Sequence, residues 1–332
     1  MTLREEEIRP NHLKKGQAER YAADVRRLLA HQSAFVEVPC PACGHGEVRT
    51  EFEKCGLIYV SCRNCGTLYV NPRPTPAILE EYYSTSENYA YWNKCIFPAS
   101  ETARREKIFR PRAERLLNLC REHGVPGGIL LEVGAGFGTF CEEITRLAFF
   151  DKVIAVEPTP ALAESCRHRG LTVIEKPIEH VQLDASSVDL IASFEVIEHL
   201  FAPRQFLESC CKTLKPQGIL VLSCPNGQGF EVATLGPASD TVDTEHLNYF
   251  NPNSLSGLVN SVGLDVVEVL TPGQLDAELV RTKAKDGVYD ISLQPFLRRV
   301  LLEDWERLGE VFQKFLADNL LSSHMWLVAR KQ

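Results

Sequence analysis

The run ILLEVGAGFGTF at residues 129–140 restricts the architectures open to this chain. Apolar Ile129, Leu130 and Leu131 lead through Glu132 to Gly134, Gly136 and Gly138, and a helix-compatible segment follows. Glycines on alternate positions let a backbone turn tightly after a strand and approach a ligand with no Cβ in the way. The helix start beyond them offers free N–H groups and a positive dipole end. From residue 129 onward strand and helix patterns alternate. The periodicity predicts strands at 129–134, 152–157, 171–175, 188–194, 218–224, 264–270 and 324–330, with helices near 138–148, 160–169, 203–214 and 252–262. The expected fold class is therefore α/β, a Rossmann-like doubly wound sheet of seven strands, with ligands beyond the carboxyl ends of the strands.

The glycine loop discriminates among ligands. A phosphate loop requires Lys after its last glycine, and none follows here. A dinucleotide fingerprint is G-x-G-x-x-G, and Gly138 arrives one place too early for it. The next strand, VIAVE, ends in Glu157, a carboxylate suited to accept both hydroxyls of a ribose. This G-x-G-x-G loop behind an acidic residue resembles motif I of the class I S-adenosylmethionine-dependent methyltransferases. The strand VDLIASF at 188–194 and the run LKPQGILVLSCPN at 214–226 are similar to that family's later motifs. The resemblance covers about residues 100–332. It implies that S-adenosylmethionine is held by Glu132, Gly134, Gly136, Gly138 and Glu157, by an adenine pocket at Pro177 and Ile178, and by Phe194 and Glu195.

After the fourth strand the chain reads FEVIEHL, so that Glu195, Glu198 and His199 stand at i, i+3 and i+4. In one helical turn all three would face the cleft. His246 lies in the later segment DTEHLNYF. This pattern resembles the two-Glu, two-His metal site of small-RNA 2′-O-methyltransferases, and the ubiquinone-pathway O-methyltransferases carry a similar E-x-x-E-H. The resemblance implies that Glu195, Glu198, His199 and His246 bind Mg²⁺ or another divalent ion, which would lower the pKa of an acceptor hydroxyl. Without a metal, His199 or His246, with Glu198, would serve as acid–base or positioning groups. In many methyltransferases Glu-His at this place binds no metal, and both readings stay open.

Upstream, Cys40-x-x-Cys43 and Cys62-x-x-Cys65 are separated by 18 residues, and a glycine follows each pair. Such knuckles suit one tetrahedral zinc ion, and four thiolates leave no open position for catalysis. The intervening residues read as a hairpin, with Cys55 a spare buried thiol. A module of about 40 residues buries too little surface to fold unaided, so the metal would supply folding energy. Residues 37–75 carry four Lys/Arg against four Glu, and the chain's net charge is −8. Neither favours a nucleic-acid partner.

The organisation expected is a helical segment at 1–36, a zinc ribbon at 37–75, an aromatic linker or lid at 76–99 and the methyltransferase-like domain at 100–332. Ser100 is a candidate N-cap of a long helix to His123, whose arginine-rich face is either solvated or turned to an anionic substrate. A helical insertion at 272–322 precedes the last strand, and His324 reads as a packing or surface histidine. Twelve cysteines, a start (MTLREEEIRP) without an apolar leader and no run long enough to span a bilayer point to a reducing, cytoplasmic setting. Ribbon, aromatic linker and core together resemble bacterial methyltransferases of sugar and surface-polysaccharide biosynthesis, including zinc-ribbon sugar C-methyltransferases, although no further C-terminal domain of the latter is seen. O-methylation of a sugar, a nucleotide-linked sugar or another small polyhydroxylated metabolite, by a monomer or homodimer, is the leading expectation. Sugar C-methylation, RNA methylation and a non-catalytic S-adenosylmethionine-binding regulator are its alternatives.

Overall fold

A computed structural model describes residues 3–181 and 183–332. Eleven strands are found among the described residues. The main sheet contains β4 (Ile129–Val133), β5 (Lys152–Val156), β6 (Thr172–Ile174), β7 (Val188–Phe194), β8 (Leu214–Pro225), β10 (Leu264–Leu270) and β11 (His324–Lys331). Their order is β6-β5-β4-β7-β8-β11-β10, with only β11 antiparallel to its neighbours. All seven expected strands are present. The order reverses between β4 and β7, and that reversal opens a crevice at the carboxyl ends of the two strands.

Every residue of β7 is buried, as a strand covered by helices on both faces requires. Alternate side chains feed two different cores: Leu131, Val133, Ile191, Leu220 and Leu222 on one face, and Leu130, Leu190, Ala192, Ile219 and Val221 on the other. Each fully buried Leu or Ile contributes about 2 kcal/mol of transfer free energy, so a charge at Ile191 would disrupt the sheet at its centre.

The second sheet belongs to the cysteine-rich region. It contains β1 (Val48–Lys54), β2 (Leu57–Cys62) and β3 (Leu68–Val70), and its fourth strand is β9 (Asn248–Tyr249), from the other end of the chain. Tight turning between β1 and β2 falls on Cys55 and Gly56, both at positive φ. Cys55 is half-buried there.

Residues 76–99 are mostly helical. Pro76–Thr85 is followed by Glu87–Tyr91, Phe97–Arg104 and Arg110–Glu122, joined through the π-turns Trp92–Ile96 and Arg105–Phe109. Ser100 is therefore no N-cap. Its hydroxyl is buried and donates to the Ile96 carbonyl at 2.8 Å, the back-bonding that Ser makes inside a helix. Pro98 and Pro111 each lie just beyond a π-turn, where the widened ladder accommodates the missing N–H. The N-terminal helix Asn11–Leu29 docks on this rod through buried Asp24, which accepts from Ser86 Oγ (2.6 Å), Glu87 N (3.0 Å) and Asn88 N (2.8 Å). Asn251 does cap its helix, accepting from Ser254 N at 2.9 Å. The insertion contributes helices Asp276–Lys285, Pro295–Arg298 and Trp305–Asp318. Among the described residues no helix is long and apolar enough to cross a membrane.

Candidate active site

A cavity of about 580 Å³ opens at the β4/β7 reversal. The glycine loop forms one wall. Gly134, Gly136 and Gly138 all have positive φ. A Cβ on Gly134 would lie 2.3 Å from Val196 Cγ2, whereas one on Gly136 would meet nothing within 4 Å. Gly134 is thus required by packing, and Gly136 borders open space in which a ligand can approach the backbone. Glu157 accepts from Gly136 N (2.8 Å) and Thr159 N (2.9 Å), one bond to each oxygen; it lies behind the loop, 4% exposed and not among the residues lining the cavity. Glu132 lines the cavity and accepts from the Cys141 thiol at 2.9 Å, and burial pushes its pKa up to about 8. These groups suit a nucleoside with a cationic amino-acid tail.

Phe194 ends β7 with its ring in the cavity wall, 4.3 Å from the Arg112 guanidinium carbon. Pro177 is exposed and Ile178 packs in the core; neither lines this cavity.

The expected one-face arrangement of Glu195, Glu198 and His199 is not what the backbone adopts. Glu195 has φ +56°, and the helical turn begins only at Ile197. That kink sends its carboxylate elsewhere: it accepts from Ser223 Oγ at 2.5 Å and lies 3.4 Å from His324 Nδ1. Glu198, His199 and His246 do converge, with donor atoms all within 4.8 Å of one another, and Glu195 is not in that group.

The three are prepared differently. His199 Nδ1 lies 3.0 Å from the Glu245 carbonyl, and His246 Nδ1 lies 2.9 Å from the Thr241 carbonyl. A carbonyl only accepts, so Nδ1 carries the proton in each ring and Nε2 keeps a lone pair. Burial drives the His199 pKa down to about 3, which keeps that ring neutral. Both carboxylate oxygens of Glu198 are buried with no hydrogen-bond partner. Burial also raises its pKa well above the ordinary value. Two imidazole lone pairs beside an orphaned carboxylate make a donor set that a divalent cation satisfies.

The aromatic stretch divides between these sites. Tyr82 donates to Glu245 Oε1 (3.3 Å) and the Tyr83 hydroxyl lies 3.3 Å from His199 Nδ1, so this part backs the histidines. Trp92 and Phe97 line the cavity, with Phe97 stacked on Phe137 at 3.6 Å.

His324 was legible only as packing, yet it lines the cavity beside Glu195. Trp326 Nε1–H donates to its Nε2 at 3.1 Å, which leaves Nδ1–H facing that carboxylate. Its position follows from topology: β11 runs against β8, so its first residue lies at the ligand edge. The two-residue spacing to Trp326 on one strand face was the available signal.

The cysteine cluster lies apart from this cavity. Cys40 Sγ is 3.5 Å from Cys65 Sγ, and Cys43 Sγ is 3.6 Å from Cys62 Sγ, with all four sulfurs within 4.8 Å. Tetrahedral zinc with bonds of about 2.3 Å separates its thiolates by about 3.8 Å, so the donor set fits.

The ribbon is bonded to the histidine loop. β3 pairs with β9, and Arg73, fully buried, donates to Asn248 Oδ1 (3.1 Å) and the Leu247 carbonyl (3.3 Å). Asn248 Nδ2 in turn donates to the carbonyls of Ile197 (3.2 Å), Glu198 (3.3 Å) and Leu200 (2.8 Å).

Comparison with known proteins places the chain. A family model described as a methyltransferase domain matches residues 103–269, half of the chain. A protein of Mycolicibacterium smegmatis, described as a probable S-adenosylmethionine-dependent methyltransferase, is 29% identical over 151 residues, covering 45% of this chain and 56% of its own. The ubiquinone biosynthesis O-methyltransferase of Caulobacter vibrioides is 34% identical over 107 residues, 30% of this chain and 42% of that one. The chain thus spans about half the length of the curated relatives it matches. Among solved structures, an S-adenosylmethionine-dependent methyltransferase from Clostridium acetobutylicum aligns with TM-score 0.49 and 9% identity over 72% of this chain and 98% of that one. The matched span holds the glycine loop, Glu157 and the Glu198/His199/His246 cluster, and the chain belongs to the methyltransferase domain family.

Proposed function

We propose that the protein transfers a methyl group from S-adenosylmethionine to a hydroxyl of a sugar or other small polyhydroxylated metabolite, with a divalent cation at Glu198, His199 and His246. The observation that carries this reading is the orphaned Glu198 carboxylate beside the His199 and His246 imidazoles. The glycine loop, Glu132 and Glu157 would hold the methyl donor. Phe194 would close the wall beside it, with Glu195 and His324 at the adjoining edge. A cation bound at the cluster would supply Lewis acidity, which favours ionisation of a hydroxyl placed beside it. The carbonyls of Glu245 and Thr241 hold both rings in the tautomer that leaves Nε2 free. The four cysteines would hold structural zinc, and a chain rich in cysteine with a metal-spaced quartet supports a reducing, cytoplasmic setting.

The test is metal content together with turnover on a panel of polyhydroxylated acceptors, read as S-adenosylhomocysteine formation. The native protein should carry one tightly held zinc and a second, exchangeable divalent ion. Glu198→Gln and His246→Ala should lose the second ion, keep the zinc and cofactor affinity, and lower kcat at least 100-fold. Unchanged turnover in both variants would refute metal assistance and return the histidines to a structural role.

A further inference from the structure

Glu195 stands just beyond Phe194 at the carboxyl end of β7, on the wall of the cavity. Its φ of +56° lies in the left-handed region, which a residue with a Cβ adopts only where its surroundings impose it. Here the kink is held from two sides. Its N–H donates to the Ser223 carbonyl at 3.0 Å, and Val196, the next residue, packs on Gly134. Glu195 therefore adjoins the glycine loop. Its side chain lines the cavity and is 41% exposed. The two carboxylate oxygens differ. Oε1 accepts from Ser223 Oγ at 2.5 Å and lies 3.4 Å from His324 Nδ1, whereas Oε2 has no hydrogen-bond partner among the described residues. Burial disfavours the charge, but His324, Arg112 and the Ser223 hydroxyl outweigh it and hold the carboxyl below its ordinary value, so it is ionised near neutrality. His199 and His246 do not line the cavity.

One anchored oxygen and one unpaired oxygen, in a side chain open to the ligand space, are what a proton acceptor needs. Resting on the methyltransferase reading above, we infer that Glu195 is the catalytic base of the transfer, with Ser223 and His324 as its positioning residues. Glu195 Oε2 takes the proton of the acceptor hydroxyl. The electron pair left on the hydroxyl oxygen forms the new O–CH₃ bond, and the pair of the broken S–CH₃ bond stays on sulfur, giving S-adenosylhomocysteine. The proton then leaves Glu195 for solvent. His324 has both ring nitrogens committed, Nε2 to the Trp326 indole N–H and Nδ1–H toward Glu195, so it orients the carboxylate and keeps no lone pair for a proton. The helical insertion supports the same arrangement. Asp276 accepts from Ser322 Oγ at 2.6 Å and from Ser323 N, which fixes the chain immediately before His324.

Calorimetric titration of the full-length, zinc-loaded protein with sinefungin and with S-adenosylhomocysteine tests the placement without any acceptor. Sinefungin carries an amine-bearing carbon where S-adenosylmethionine carries its methylated sulfur, so its ammonium reports a carboxylate beside the transferred methyl. Glu195→Gln should weaken sinefungin by roughly tenfold or more and S-adenosylhomocysteine by less than about twofold. Ser223→Ala and His324→Phe should weaken sinefungin alone, by roughly threefold each, whereas a purely structural role would move both ligands together. On each acceptor of the polyhydroxylated panel that the native protein methylates, Glu195→Gln should lower kcat by roughly 100-fold or more and leave KM within about threefold. An equal loss of both ligands in Glu195→Gln overturns the inference, because it assigns the carboxylate to the common part of the cofactor or to the fold. An unchanged sinefungin affinity overturns it as well, as does a kcat close to the native value. If S-adenosylhomocysteine does not bind the native protein, it is the methyltransferase reading that fails, an outcome separate from a sinefungin affinity indifferent to Glu195.

Discussion

Two clusters of metal-ligating side chains lie in this protein, and they are built on opposite plans. The cysteine cluster draws its donors from two short knuckles 18 residues apart in sequence, and four thiolates would close the coordination shell of an ion held there. The Glu198/His199/His246 cluster draws its donors from segments nearly 50 residues apart and supplies three. The first needs only its own turns. The second needs two carbonyls to fix its tautomers and a loop, residues 241–250, to deliver His246. That loop is paired to the cysteine-bearing sheet through β3 and β9 and tied to it by Arg73. The comparison teaches that the cysteine-bearing sheet braces the second cluster: its hydrogen bonds to Asp243, Leu247 and Asn248 hold the loop that carries His246.

The largest effect should come from removing the brace altogether. Replacing Cys40 and Cys43 by Ser should abolish zinc binding, because a module this small depends on its metal for most of its folding free energy. Hydrogen exchange should then lose protection in residues 48–70 and, with them, in 241–250. Residues 129–133, whose bonds lie in the main sheet, should stay protected. If the variant keeps the loop protected and the second ion bound, the two clusters are independent and the comparison fails.

A smaller effect should follow from cutting one tie. Arg73→Met keeps most of the side-chain volume and removes the bonds to Asn248 Oδ1 and the Leu247 carbonyl. The Leu247 carbonyl keeps its bond from Val70 N (3.0 Å), so one buried acceptor, Asn248 Oδ1, is left without a donor; that costs roughly 1–3 kcal/mol, offset in part because a buried guanidinium no longer has to be desolvated. The cysteine zinc should remain at full occupancy. Affinity for the second ion should fall about tenfold, measured by competition with a chelating dye. An unaltered second-site affinity would mean that β3–β9 pairing alone positions the loop.

The two clusters also differ in how much of them was legible beforehand. Knuckle spacing is local, so Cys40, Cys43, Cys62 and Cys65 could be read directly. The central strands could be read because buried parallel strands are near-continuous apolar runs, as in ILLEV at 129–133 and VDLIASF at 188–194. The E-x-x-E-H run named three of the residues around the second cluster, but a helical-turn template placed Glu195 with the other two. The positive φ at Glu195 is decided by packing against β8, where Ser223 waits for the carboxylate, and no sequence period encodes it. The same limit hid β9, whose two residues have no pattern of their own, and His324, whose importance comes from strand direction. The aromatic stretch could be read by composition but not by shape, because the π-turn just before Pro98 carries a helix past a proline that suggests an interruption.

The smallest expected effect concerns a third buried acid, and it sharpens what an orphaned carboxylate means. Glu132 and Glu198 are both buried, 4% and 0% exposed. Glu132 has a thiol hydrogen bond and a pKa raised to about 8 by burial, so near neutrality it is held mostly as the uncharged acid. Glu198 has no such bond and sits instead against two imidazole lone pairs. A carboxyl whose folded pKa exceeds its unfolded value near 4.5 binds a proton more tightly in the native state. The stability it contributes is full below about pH 4.5 and is lost as pH rises toward 8. Glu132→Gln removes that titration while keeping size and polarity, so the fall in melting temperature between pH 5 and 8 should be shallower in the variant than in the native protein. Both zinc and second-site metal content should be unchanged. The cationic tail of the cofactor favours the ionised acid, so binding of S-adenosylhomocysteine to the native protein should release a proton near pH 7, seen as a buffer-dependent enthalpy. Glu132→Gln should abolish that dependence. A native protein that releases no proton, with the same slope of stability against pH in both proteins, would show that Glu132 is already ionised in the empty cleft. Burial would then be no guide to which acids here await a cation.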